Sequence, residues 1–162
     1  MSARSSGLDL AEYEALLRAA LAGFAELAFH ELHPQTEFLA NWHHRVIAAK
    51  LEAVFAGRIR RLIVNEPPRY LKSHLASVTF PAWCLGHRPS LQFLCVSYAQ
   101  DLADKLSRDC RRVVTSGWYQ RLFSTRLAPR HQAVSEFETT RQSRRLATLV
   151  GGMLTGVVMA EP

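Results

Sequence analysis

Lys72 and Ser73 are adjacent, and the five residues before them, Pro67-Pro68-Arg69-Tyr70-Leu71, favour a turn. An ammonium and a hydroxyl side by side at the end of a turn can serve a polyphosphate. The lysine would reach the terminal phosphate oxygens, and the serine would ligate a magnesium ion that bridges them. The main chain from Arg69 to Ser73 would supply an amide cradle, and Arg69 is a further candidate because a guanidinium fork matches phosphate oxygens. A salt-bridged surface arginine is the plain alternative for Arg69.

Such a cradle needs a strand before it and a helix after it. The segment Arg61 to Ser77, RLIVNEPPRYLKSHLAS, has that order. Leu62 to Asn65 reads as a buried strand, and a helix should run from Lys72 to about Leu85, distorted or ended by Pro81. A helix start offers unpaired N–H groups and positive dipole to an anion. The usual phosphate-loop pattern is GxxxxGK[ST], whereas Glu66 stands here at the first glycine position and Leu71 at the second. A blander reading therefore stands beside it: Pro67 and Pro68 end a strand, and Lys72 is a solvated side chain in a first helical turn.

The remaining elements follow from periodicity. Leu8 to Leu32 carries apolar residues at helical spacing, with Pro34 as the interruption. A second helix is expected over Leu39 to Ala56, capped by Gly57. Leu91 to Ser97 reads as a buried strand, and Ala99 to Ser116 as a helix with Leu102, Leu106, Cys110 and Val113 along one stripe. Strand, loop, helix, strand, helix is the order of a parallel α/β arrangement. Val134 to Thr139 and Arg144 to Val150 alternate as a β-hairpin does, followed by a turn-rich stretch at Gly151, Gly152 and Gly156.

Other residues offer weaker chemistry. Arg108, Arg111 and Arg112 sit on the long helix, where an arginine donated to a neighbouring subunit could stabilise a transferring phosphoryl group, or simply form a solvated face. Arg144 and Arg145 could touch DNA phosphates, or protect a hairpin edge. His43 and His44, adjacent on a helix, should point apart, and His87 and His131 should lie in loops. No histidine set has metal-ligand spacing. Cys84, Cys95 and Cys110 are isolated and odd in number, which fits buried free thiols rather than a disulfide framework.

Three segments together resemble one family. FLANWHHRVIAAKLEAVFAGRIRRLIVNEPPRYLKSHLAS, FPAWCLGHRPSLQFLCVSYAQDLADKLSRDCRRVVTSGWYQRLF and EFETTRQSRRLATLVGGMLTG, covering about Phe38 to Gly156, look like the N-terminal ATPase region of tailed-phage terminase large subunits. Many of those DNA-packaging motors carry a glycine-poor phosphate loop of the form PPRxxKS. The resemblance implies a partial P-loop NTPase core of the ASCE type, with a parallel sheet flanked by helices. It divides the chain into an N-terminal helical segment, 1–57, and an incomplete ATPase core, 58–162. ATP and Mg2+ would be the cofactors, held by Pro68, Arg69, Tyr70, Leu71, Lys72 and Ser73, with Ser73 on the metal. Lys72 and Arg108 would be the catalytic cations. Trp42 and His43 would lie on the adenine side, although taken singly Trp42 suits a core and His43 a solvent-exposed position. The implied partners are double-stranded DNA, a small terminase subunit, a portal protein and further copies in a ring, in the cytoplasm of a bacterial host.

The family's GGMLTG-like turn precedes a strand ending in paired acidic residues that position magnesium and water. Here the sequence reads Val157-Val158-Met159-Ala160-Glu161-Pro162, with no paired Asp. The expectation is a truncated, half-built site that binds nucleotide weakly without turnover, lacking the nuclease domain as well. A non-catalytic module binding DNA or a partner subunit through its basic surface is the alternative. Composition is compatible with either: 48% hydrophobic and 21% charged residues suit a globular domain, and a formal charge of +6 favours a polyanionic partner. No stretch is apolar enough to cross a bilayer, and the start MSARSSGLDL lacks a signal peptide's apolar core.

Overall fold

The computed structural model describes residues 9–151, apart from the side chains of residues 130–132. The expected glycine turn at Gly152 and Gly156, and Glu161, lie outside the described residues. Helices α1 (Leu10–Ala19), α2 (Leu21–Leu32) and α3 (Trp42–Phe55) come first. A π turn, His74–Thr79, runs directly into α4 (Phe80–His87), followed by β1 (Phe93–Ser97), α5 (Gln100–Thr115) and α6 (Gly117–Leu122). Strands β2 (Leu127–Gln132), β3 (Glu136–Thr139) and β4 (Arg144–Leu149) complete the described fold.

The fold class is mixed α/β, and the expected parallel sheet is corrected to a mixed one. Its four strands lie in the order β1-β4-β3-β2, and only β1 and β4 are parallel, with Cys95 opposite Ala147. The hairpin read from alternation is present: β3 and β4 pair antiparallel, Phe137 opposite Arg145. His131, expected in a loop, belongs to β2, the strand that pairs with the other side of β3. Leu62–Asn65 is not a strand. Leu62 and Val64 still turn inward onto the core, and Ile63 is 92% exposed, so the period of two places the side chains. A strand also needs a neighbouring backbone to pair with, and the described residues provide none here.

The N-terminal helical stretch is broken at Ala20, where no Gly or Pro stands, and the break is stabilised from a distance. Glu52 of α3 accepts from the Leu21 N–H at 2.7 Å and so caps α2. The carbonyl of Arg18, near the end of α1, accepts from Trp83 Nε1 at 3.0 Å and from His87 Nε2 at 2.8 Å. Gly57 closes α3 as expected: at φ 73 it allows the Arg58 N–H to reach back to the Ala53 carbonyl at 2.9 Å.

Pro81 distorts its helix without ending it. A proline has no N–H to offer the carbonyl four residues back, and the preceding turn widens into a π turn in which the Phe80 N–H bonds the Leu75 carbonyl. The Thr79 hydroxyl donates to the carbonyls of His74 and Leu75, each at 3.1 Å. Around this helix a single apolar core joins α1–α3 to α4–α6 and β3. Phe24 is fully buried at its centre, with the rings of Trp118, Tyr119 and Phe123 at 5.2, 6.1 and 6.2 Å. Helix α5 turns Ala103, Leu106, Cys110, Val113 and Val114 inward, much as its stripe predicts, and packs on β1 and β4. Among the described residues no helix is long and apolar enough to cross a membrane.

Candidate functional site

The loop from Glu66 to Ser73 is tightly turned. Arg69 and Leu71 both have positive φ, 73 and 58, although neither is glycine. Leu71 stands where the usual phosphate loop has its second glycine, so the left-handed backbone is present without the residue that adopts it most easily. The Leu71 carbonyl accepts the first helical bond, from the Leu75 N–H at 2.9 Å. Leu71 is thus the cap residue, and the N–H groups of Lys72, Ser73 and His74 precede any carbonyl four residues back within the helix. The half-buried Lys72 folds across the turn, its Nζ donating to the Glu66 carbonyl at 2.6 Å. That one bond joins the two ends of the loop.

Beside the loop lies an open cleft of about 320 Å³, whose walls include Asn41, His43, His44, Arg69, Tyr70 and Leu71. Pockets for small ligands generally measure about 300–1,000 Å³. The start of α3 and the middle of the loop, Arg69 to Leu71, therefore share one cavity, whereas Lys72 and Ser73 are not among its lining residues. His43 meets the Tyr70 ring at 5.4 Å and the His44 ring at 4.1 Å, so the two histidines converge instead of pointing apart. The cause lies at the first turn of α3, where the rings are drawn toward the loop and toward Phe38, 5.4 Å from His44. Both histidines are 8% exposed. His43 Nε2, His44 Nδ1 and a carboxylate oxygen of Glu66 are buried without a hydrogen-bond partner among the described residues. Burial, and then His43, push the His44 pKa below its ordinary value, with Glu66 opposing. His44 is accordingly a neutral ring at pH 7, able to offer one donor and one acceptor.

The expectations for Trp42 and His43, taken singly, are reversed. Trp42 is 73% exposed and does not line the cleft, although its ring stands edge-on to His43 at 6.0 Å. Pro68, Arg69, Tyr70 and Ser73 are exposed on the loop. Arg108 is exposed on α5 and makes no hydrogen bond or ion pair among the described residues, while Arg112 faces Glu31 at 3.8 Å. The Arg144/Arg145 pair does not stand on a sheet edge, since β4 lies between β1 and β3. Arg144 is bound to Glu136, and Arg145 is completely buried, because alternation along β4 turns one arginine out and the next into the helix layer.

Sequence reasoning missed His44, Asn41 and Glu37 as parts of this cavity, and no local pattern marks them. Chemically, the cleft offers the Arg69 guanidinium and Tyr70 phenol on the loop side and imidazole rings on the α3 side, while the Lys72 ammonium is engaged by the Glu66 carbonyl next to it. For a metal, the exposed Ser73 hydroxyl is a single ligand, and among the described residues no group of three His, Cys, Asp or Glu side chains could hold an ion. The free amides at the helix start suit an anion; a magnesium ion fits only when most of its ligands come with that anion and water. The three cysteines are free, and burial pushes the Cys110 thiol up to about 12. No protein-family model, characterised protein or solved structure matches the chain.

Proposed function

We propose that this chain binds a nucleoside triphosphate at the Glu66–Ser73 loop and acts as the N-terminal ATPase region of a terminase large subunit, the motor that packages phage DNA. The supporting observation is the Lys72 bridge to the Glu66 carbonyl across a left-handed turn at the start of a helix. In this reading Lys72 exchanges that carbonyl for β- and γ-phosphate oxygens, the Arg69–Ser73 amides hold the anion, and Arg69 and Tyr70 flank it. Ser73 would contribute one ligand to a magnesium ion bound together with the nucleotide. His43, with Trp42 at its edge, serves the base end, and Arg108 faces a neighbouring copy. The sheet belongs, in this reading, to a P-loop NTPase core, and the wider partners are DNA, a small terminase subunit, a portal and further copies in a ring in the host cytoplasm.

Calorimetric titration with MgATP tests the reading. Loss of a charge-assisted contact worth about 1.5–3 kcal/mol should weaken binding at least about tenfold in Lys72→Ala. Equal affinity in wild type and Lys72→Ala would remove the loop from the mechanism. A second reading has its own support, since Arg58, Arg60 and Arg61 form an exposed basic run just before the loop. Salt-sensitive DNA binding with no nucleotide response would favour that reading, a DNA-binding module without catalysis.

A further inference from the structure

We infer that Arg145 is a positioning residue that sets the helix carrying Lys72 and Ser73 against the sheet. Its functional half rests on the nucleotide-binding reading above. Arg145 is 0% exposed in the middle of β4, opposite Phe93 on β1 and Phe137 on β3. Its guanidinium lies 5.9 Å from the centre of the Phe137 ring, and its Nη2 donates to the Ser77 carbonyl at 2.9 Å. Nε and Nη1 have no hydrogen-bond partner among the described residues.

That is a costly way to fill core space. Burying a charge is unfavourable unless it is well paired, and an apolar side chain of similar size would generally pack there at lower cost. What an arginine does here, and an apolar residue cannot, is donate across the layers to Ser77. Ser77 is the residue whose α-helical donor is missing: four positions on stands Pro81, which has no N–H. Pro81 releases a carbonyl and Arg145 takes it. The same helix is held from outside by the Tyr119 hydroxyl on the Ala82 carbonyl and the Thr125 hydroxyl on the Leu85 carbonyl, at 2.9 and 2.8 Å. Arg145 is the member of this set nearest the loop, since Ser77 lies about 7.5 Å along an ideal helix axis from Lys72. It ties the Lys72 end of the helix to the strand layer, so its removal should let the loop-bearing turn shift relative to the cleft.

The test uses Arg145→Met, Arg145→Lys, Pro81→Ala and the double variant Pro81→Ala/Arg145→Met. Alanine at position 81 supplies the missing N–H, so the double variant removes the guanidinium while giving Ser77 a donor inside its own helix. MgATP affinity is measured well below each melting midpoint, together with amide hydrogen exchange over residues 74–80. The expected result is affinity about tenfold weaker and exchange faster in Arg145→Met, both recovered largely in the double variant, with Arg145→Lys between. A double variant as impaired as Arg145→Met would overturn the inference, as would wild-type affinity in folded Arg145→Met. If Arg145→Met does not fold, the double variant and Arg145→Lys carry the same comparison. If wild type itself shows no MgATP binding, the nucleotide reading fails alone. The positioning role is then judged on exchange, where recovery by Pro81→Ala supports it and additive damage refutes it.

Discussion

Leu71 offers a test of the loop that inverts an ordinary rule. In most positions alanine is better tolerated than glycine, because glycine loses about 0.5–1 kcal/mol more conformational entropy on folding. At φ 58, Leu71 is held in the left-handed region, which costs an L-residue about 1–2 kcal/mol. Leu71→Ala keeps that cost and loses the packing of a half-buried side chain, roughly half of the 1.5–3 kcal/mol for full burial. Leu71→Gly loses the same packing but relieves the backbone. The glycine variant should therefore exceed the alanine variant by about 0.5–1 kcal/mol, or about 1–4 °C in melting midpoint for a chain of this size. Arg69, at φ 73, should show the same order. Arg108, exposed in the middle of α5, is the control, where alanine should win by about 1 kcal/mol. Paired urea and thermal denaturation of the six variants decides the matter. Alanine ahead of glycine at 69 and 71, as at 108, would mean that the chain does not turn left-handed there, and the cradle would go with it.

Two further outcomes are expected. Gly86→Ala should destabilise by about 1–2 kcal/mol in urea despite alanine's helix propensity, because the added Cβ would lie 2.5 Å from Cγ of the buried Phe123 ring. A variant as stable as wild type would show that the ring is free to retreat. Stability should also decline in acid: His74 donates from Nε2 to the Ala25 carbonyl at 2.9 Å, and burial, outweighing that bond, lowers its pKa. The unfolded chain takes up the proton near pH 6.5, so the His74 contribution is complete above that pH and is lost as pH falls toward the depressed folded value, with His44 adding in the same sense. His74→Gln should flatten the fall in melting midpoint between about pH 7 and pH 5; an unchanged slope would remove His74 as its cause.

What could be read from the sequence was local. The α3 helix and its Gly57 cap, α5 with its apolar stripe and the β3–β4 hairpin follow from periods of 3.6 or 2 and from turn residues within a few positions, whereas β1, read from its apolar run as buried, ends the described sheet with Leu94 and Val96 exposed. What could not be read depended on distant partners. The break at Ala20 is stabilised by Glu52, Trp83 and His87, and the π turn sits beneath an arginine 68 residues away from Ser77. The two arginines of the hairpin look alike in sequence, and only their register against β1 and β3 sends Arg144 to an acid and Arg145 into the core. Leu62–Asn65 shows the same limit: alternation orients its side chains, but a strand is a property of two backbones.

The loop falls between these cases. The turn read from Pro67 to Leu71 is present, and its left-handed residue just before Lys72 falls where the motif has its second glycine, a backbone detail that a leucine there gave no sign of. The departure from glycine has a physical consequence. A Cβ at Leu71 and a left-handed Arg69 both crowd a turn that glycine would leave open. The Lys72 bond to the Glu66 carbonyl must also break before the ammonium can turn outward. On the proposed nucleotide-binding reading, the anion is bound against strain already present in the backbone, so glycine at 71 should preserve nucleotide affinity while alanine should lower it.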